Sequence, residues 1–154
     1  LDVDANKVFD KSYELVEFLH DILKVEQFDT TFDAVVGLHN SCHANRELNL
    51  ASKSELHQEP YSKISYLLQK INQLEIKHPQ RVDECCGFGG TFAVDEGAVS
   101  AKMGKDKAQA HAVTGAQYAV GFDPSCLLHL DGMIRRQLLA IETRHIAQII
   151  NDAL

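Results

Sequence analysis

Four cysteines carry the chemistry that this sequence offers most plainly: Cys42, the adjacent pair Cys85 and Cys86, and Cys126. Thiolates hold soft metals and iron–sulfur centres, form disulfides, or attack electrophiles. The vicinal pair narrows the choice. A disulfide between sequence neighbours strains the peptide between them, so bridging would need two separate partners, Cys42 and Cys126. Consecutive side chains on an extended backbone point to opposite sides. A single ion therefore takes both Cys85 and Cys86 only if the backbone curls tightly, whereas a polynuclear cluster is broad enough to accept both.

Gly87, Gly89 and Gly90 follow the pair directly. Glycine tolerates positive φ and lets the backbone approach inorganic sulfide closely, with free N–H groups as donors. No Lys-Ser or Lys-Thr follows at the spacing of a phosphate loop. His39 and His43 flank Cys42. Each is a candidate metal ligand, a hydrogen-bond partner for sulfur, or the base of a cysteine nucleophile; the ordinary alternative is a satisfied core or surface histidine.

These residues need a scaffold that delivers them to one place. The run Asp33–His39 is too short for a helix and apolar on both faces, which predicts a buried parallel strand ending just before Asn40-Ser41-Cys42-His43. Open α/β sheets place ligands at that end. Gln117–Phe122 predicts a second such strand, followed by Asp123 as helix cap, Pro124 at the first helical position and Cys126 in the first turn, where the helix dipole favours a thiolate. Arg81–Glu84 predicts a brief strand leading into the cysteine pair. A last short strand is expected over 138–142.

Helical periodicity fills the intervals. It predicts a helix over about 4–24, with Val8, Leu15, Leu19 and Ile22 joined by Phe18 and Leu23 on one stripe. It predicts another from Tyr61 to about Ile76, with Ile64, Leu67, Leu68, Ile71 and Leu74 buried and Pro79 beyond its end. A helix capped by Asp95 runs over 96–113 with alanines at 98, 101, 108 and 112, weakened by Gly104. Thr143 caps a closing helix that buries Ile146, Ile149 and Ile150. Residues 45–59 read as loop. Strand and helix segments alternate, so the expected fold is an α/β three-layer sandwich, a small mostly parallel sheet with helices on both faces.

Composition bounds the function. With 154 residues and 45% hydrophobic content, one domain with one core is expected. A formal charge of −7 argues against nucleic acid or an anionic membrane as partner. The basic groups Lys102/Lys105/Lys107 and Arg135/Arg136 read as solvated helix faces. No apolar run approaches the ~20 residues of a membrane-spanning helix. With no secretory leader visible, the thiols fit a reducing compartment such as the cytoplasm. No substrate motif stands out; Arg46, Arg81 and Arg135 are the candidate clamps for a carboxylate.

Cys42 precedes Cys85 by 43 positions and Cys126 follows Cys86 by 40. With Cys-Cys-Gly at the centre, this pattern resembles the CCG cysteine-rich domain family, found in heterodisulfide reductase and in the iron–sulfur components of glycolate and lactate oxidation systems. The stretches His39-Asn-Ser-Cys42-His43, Glu84-Cys-Cys-Gly-Phe-Gly-Gly-Thr-Phe92, Thr114-Gly-Ala116, Asp123-Pro-Ser-Cys-Leu-Leu-His129 and Gly132-Met-Ile-Arg-Arg136 look like the second half of the lactate-utilization members. The resemblance implies a 4Fe-4S electron-transfer subunit of an L-lactate or glycolate dehydrogenase complex. Its cluster would be held by Cys42, Cys85, Cys86 and Cys126, in a pocket shaped by Gly87, Gly89 and Gly90. Family members carry five cysteines ending in Cys-x-x-Cys, and some bind clusters of non-cubane form. Here the last position is His129, on the same helical face as Cys126. The resemblance leaves His129 as a replacement ligand, or the centre as an ordinary four-thiolate cluster. It also implies other oxidoreductase subunits as partners and a missing N-terminal half of the same chain. The alternatives are a structural or regulatory zinc site on the same thiols with His129, and an enzyme with a cysteine nucleophile.

Overall fold

The computed structural model describes residues 8–57 and 59–153. Four strands, β1 (Thr31–Leu38), β2 (Asn72–Lys77), β3 (Tyr118–Gly121) and β4 (Glu142–His145), form one parallel sheet in the order β2-β1-β3-β4. The helices are α1 (Leu15–Glu17), continued by a π-helical turn at Phe18–Ile22, α2 (Cys42–Arg46), α3 (Lys63–Leu68), α4 (Phe92–Asp95), α5 (Gly97–Ala112), α6 (Pro124–Arg136) and α7 (Ile146–Asp152). The expected α/β sandwich is therefore what the chain forms, with a fully parallel sheet. Among the described residues no helix is long and apolar enough to cross a membrane.

Alternation along the strands sorts side chains to two faces. Val36, Leu38, Val120 and Phe122 join α3 and α7 in a core that includes Ile64, Leu67, Leu68, Ile146 and Ile149. Val35 and Ala119 pack on the opposite face, in a second cluster with Ala108, Leu130 and Ile134 of α5 and α6. Because β1 is followed toward one edge by β2 and toward the other by β3, the order of the sheet reverses between β1 and β3. A crevice opens at such a point beyond the carboxyl ends of the strands. Cys42 follows β1 and Cys126 follows β3, so both flank it.

Several boundaries differ from expectation. The helix expected over 61–76 stops at Leu68, and 72–77 is the edge strand β2. Leu74 and Ile76 alternate with Gln73, Glu75 and Lys77, a period of two that the preceding helical stripe masked. Residues 81–84 form a turn rather than a strand, and the expected loop over 45–59 holds the end of α2 and a 3-10 turn at Ser54–Leu56. The last strand lies at Glu142–His145, four residues beyond its expected start. α6 ends with Leu138 left-handed (φ 54°) and Leu139 N–H donating back to Ile134 O, which uses up the intervening residues. Thr143 sits in β4; His145 caps α7, its Nδ1 accepting from Ala147 N–H at 3.1 Å. Asp95 ends α4, and α5 begins behind Glu96 without a side-chain cap. Of the helix expected over 4–24, residues 4–7 lie outside the described residues. Beyond them the buried anchor is Val16, while Val8, Leu15, Phe18, Ile22 and Leu23 are exposed.

Candidate metal centre

The rim is assembled by three connections. After β1, Ser41 caps α2 by accepting from Ala44 N–H at 3.1 Å, which sets Cys42 at the first helical position. After β3, Asp123 Oδ1 accepts from Ser125 N–H (3.0 Å) and Cys126 N–H (3.4 Å), and Pro124 opens α6, as expected from the sequence. The long connection after β2 brings in Cys85 and Cys86. Gly87 turns it at φ 89°, and a methyl group there would stand 2.7 Å from both Met103 Cβ and the Ser100 carbonyl oxygen. Only glycine meets both demands. Gly89 and Gly90 also have positive φ and close the turn ahead of α4.

All four cysteines are free thiols, and they run as one chain of neighbours. Cys86 Sγ lies 3.1 Å from Cys126 Sγ. Cys85 Sγ accepts from Gly87 N–H at 3.3 Å, and its thiol interacts with Cys86 on one side and Cys42 on the other. The vicinal pair thus keeps its two sulfurs near each other while each member also meets a distant cysteine, Cys85 near Cys42 and Cys86 near Cys126. Burial first, and then Cys85, pushes the Cys42 thiol above the ordinary range. Cys85 is pushed well above it by its hydrogen bond with Cys86 and by burial, and Cys86 rises to about 11, chiefly through Cys126. A reactive nucleophile needs the opposite shift. A cation that supplies positive charge to these thiols converts them to the thiolates it binds.

The histidine that joins them is His39. Its ligand nitrogen and the sulfurs of Cys86 and Cys126 all lie within 4.8 Å of one another. The His39 ring is buried, and among the described residues neither nitrogen has a hydrogen-bond partner. An orphaned imidazole beside buried thiols fits the donor chemistry of a soft transition metal. His43 instead turns outward, Nδ1 3.8 Å from Asp123 Oδ2. His129 sits with its ring 6.1 Å from that of Phe88 and Nε2 3.3 Å from the Ser100 carbonyl oxygen. It occupies the notch left by Gly104, where a methyl group would come within 2.4 Å of Nε2.

Two further residues were not expected from sequence. Lys107, read as part of a solvated basic face, is fully buried, and its Nζ donates to the carbonyl oxygens of Arg81 (2.9 Å) and Val82 (3.3 Å), clamping the backbone that leads to the cysteine pair. Burial pulls its pKa down to about 8 against the opposing carboxylates of Glu84 and Asp83. His111, also fully buried, meets His39 edge-on with ring centroids 5.8 Å apart, and burial holds its pKa down to about 3. A signal existed: Ser100, Gly104, Lys107 and His111 recur at spacings of four, three and four, a polar stripe on one face of α5. The candidate carboxylate clamps are already paired, Arg46 with Glu55, Arg81 with Glu84 and Arg135 with Asp131. A cleft of about 750 Å³ adjoins the rim, lined by residues that include Asn40, Ser54, Tyr61, Lys63 and Asp83.

Comparison with known proteins agrees with this architecture. The chain is 35% identical over 148 residues to lactate utilization protein A of Bacillus thuringiensis (strain Al Hakam) and, to the same extent, to lactate utilization protein A of Bacillus cytotoxicus and lactate utilization protein A 1 of Bacillus cereus (strain Q1). Each alignment covers 96% of this chain and 58% of the relative, so the chain spans less than two thirds of those proteins. No solved structure matches it. The cysteine-rich domain family known as CCG matches residues 36–131, a span that contains all four thiols, His39 and His129. The chain belongs to the CCG cysteine-rich domain family.

Proposed function

We propose that this chain is a 4Fe-4S electron-transfer domain of an L-lactate or glycolate oxidation complex, with Cys42, Cys85, Cys86 and Cys126 as the cluster ligands. One observation carries the proposal: three separate connections bring thiols to one rim of the sheet, with Cys86 Sγ 3.1 Å from Cys126 Sγ and with Cys42 and Cys85 close enough that each shifts the other's pKa. The likeness to lactate utilization proteins supports the substrate class. When bound, such a cluster supplies one-electron storage and transfer.

The protein's own residues have distinct tasks. The four thiols bind. The Gly87 N–H already donates to Cys85 Sγ, and such donors stabilise anionic sulfur. Gly89 and Gly90 shape the same turn. Lys107 holds the connection from behind, and α5 and α6 exclude water from the buried pair. His129 supports the Phe88 side of the turn. Substrate oxidation is assigned to another subunit, and the domain relays electrons in a reducing compartment such as the cytoplasm.

Anaerobic reconstitution with ferrous iron and sulfide tests this. The expected product is brown, holds iron and acid-labile sulfide in equal amounts, and gives a paramagnetic resonance signal after one-electron reduction with dithionite. A second reading is a zinc site, favoured by the compactness of His39, Cys86 and Cys126. Two thiolates on one tetrahedral ion, each bonded at ~2.3 Å, stand about 3.8 Å apart. The 3.1 Å separation of Cys86 and Cys126 needs little opening to reach that. A colourless preparation with stoichiometric zinc and no labile sulfide would support it.

A further inference from the structure

We propose that His39 is a nitrogen ligand of the metal centre, bound beside Cys86 and Cys126, and that His129 is not a ligand. The inference rests on the four thiols forming a metal centre but not on which metal fills it.

The backbone of His39 is fixed before any ligand arrives. It is the first residue beyond β1, and its N–H donates to the Val120 carbonyl at 2.7 Å, which carries the sheet pairing one residue further. The ring follows the alternation of β1 onto the α5 face, where Gly37 and His111 lie. There it is only 1% exposed.

A neutral imidazole carries one N–H donor and one acceptor nitrogen. Leaving such atoms buried and unmatched costs stability. Yet both nitrogens of His39 lack a partner, while two thiol sulfurs stand within 4.8 Å of the ring's ligand atom. A metal shared with those sulfurs gives one nitrogen its partner.

The surroundings hold the ring without filling its coordination. His111 packs against it edge-on and can do so because position 37 is glycine: a methyl group there would stand 2.9 Å from His111 Nδ1. The nitrogens of His111 are unpartnered too, which leaves it available to receive the N–H that a metal-bound His39 turns away from the metal. His129 has no comparable vacancy, because its Nε2 faces the Ser100 carbonyl and its ring is lodged at Gly104.

The test is metal-edge X-ray absorption on the full chain loaded with zinc or reconstituted with iron, with nitrogen hyperfine coupling measured on the reduced iron form. The wild-type shell should hold an imidazole nitrogen at about 2.0–2.1 Å alongside sulfur at about 2.3 Å. His39→Ala should lose that nitrogen and bind metal roughly 10-fold or more weakly, whereas His129→Ala should keep both the nitrogen and the affinity. Should His39→Ala fail to fold, His39→Cys decides: metal content stays and the nitrogen is replaced by sulfur. An all-sulfur shell in the wild type, a nitrogen that survives in His39→Cys, or its loss in His129→Ala overturns the inference while leaving the thiol centre intact. A wild-type chain that takes up neither metal overturns both.

Discussion

On one face of the sheet Val36, Leu38 and Val120 meet Ile64, Leu67 and Ile146 in a core without a buried charge, while on the other Gly37, His39 and Ala119 face Lys107, Ala108 and His111. The sheet and its alternation are common to both, but the side chains are used differently. The first face buries methyl and methylene groups, each worth about 0.8 kcal/mol when removed from water. The second uses small residues so that α5 can come close, and then buries imidazole, ammonium and thiol in the space gained. Unmatched polar atoms gather there, including both ring nitrogens of His39 and of His111. One face therefore holds the fold together, and the other accepts a poorer core in which thiols and imidazoles are brought together.

The largest effect that separates the two faces is loss of metal. Cys126→Ser or Cys86→Ser should abolish metal uptake, seen by metal analysis after reconstitution. The metal-free chain should melt close to the wild type, because replacing sulfur by oxygen removes no carbon from the cluster that the pair shares with Ala108, Ala119, Leu130 and Ile134. The stabilisation that bound metal confers on the native state should vanish with it. Unfolding of the metal-free variants would show instead that the thiols support the core.

Next comes the converse change. Leu67→Ala removes a fully buried side chain from the aliphatic face and should cost about 2–5 kcal/mol, measured by denaturant unfolding. The fraction that remains folded should load metal as the wild type does. A change in its metal spectrum would mean that the two faces are coupled through the sheet.

The same contrast decides what the sequence disclosed. Asp33–His39 and Gln117–Phe122 were legible as strands because apolar runs bounded by polar residues have few alternatives, and Asp123-Pro124 marked the start of α6 through simple capping chemistry. The four cysteines announced themselves by residue type. β2 was hidden because Leu74 continues the helical spacing of Ile64, Leu67, Leu68 and Ile71, and only pairing with β1 decides between that period and the alternation of Leu74 with Ile76. The polar half of the site was hidden for a different reason. A search for apolar stripes reads α5 by its alanines and assigns Lys107 to solvent, whereas the face that packs inward carries Ser100, Gly104, Lys107 and His111. Patterning assumes that buried means apolar, and functional faces break that assumption.

Lys107→Met probes that polar half with a smaller effect. The ammonium clamps the Arg81 and Val82 carbonyls, and removing it leaves them short of a donor, at a cost of roughly 1–3 kcal/mol. Relief from burying a charge offsets part of this. The specific signature is local: hydrogen exchange in the 78–91 connection should speed up while the amides of β1 and α3 stay protected. Uniform acceleration across the sheet would assign Lys107 to general stability rather than to positioning of the cysteine pair.

The smallest effect belongs to a charged pair at the surface of the aliphatic side. Asp21 meets Lys63 Nζ at 2.5 Å and His20 Nδ1 at 2.7 Å, which links the turn after α1 to α3. The Lys63 hydrogen bond holds the Asp21 carboxyl below its ordinary value of 3.8. A depressed carboxylate stabilises the fold above its unfolded pKa and loses that contribution as pH falls through the lower native value, so the contribution is present at neutral pH and the pH dependence it imposes is confined to pH below about 4. Both carboxylate and ammonium remain partly in water, and an exposed pair of this kind contributes under ~1 kcal/mol. Asp21→Asn should therefore lower stability slightly at pH 7, less so at about 1 M salt where the screening length shrinks to ~3 Å, and flatten the acid limb of the stability curve. Metal uptake should not change. If Asp21→Asn instead cost as much as Lys107→Met, polar contacts would matter equally on both faces, and the division of labour between them would not hold.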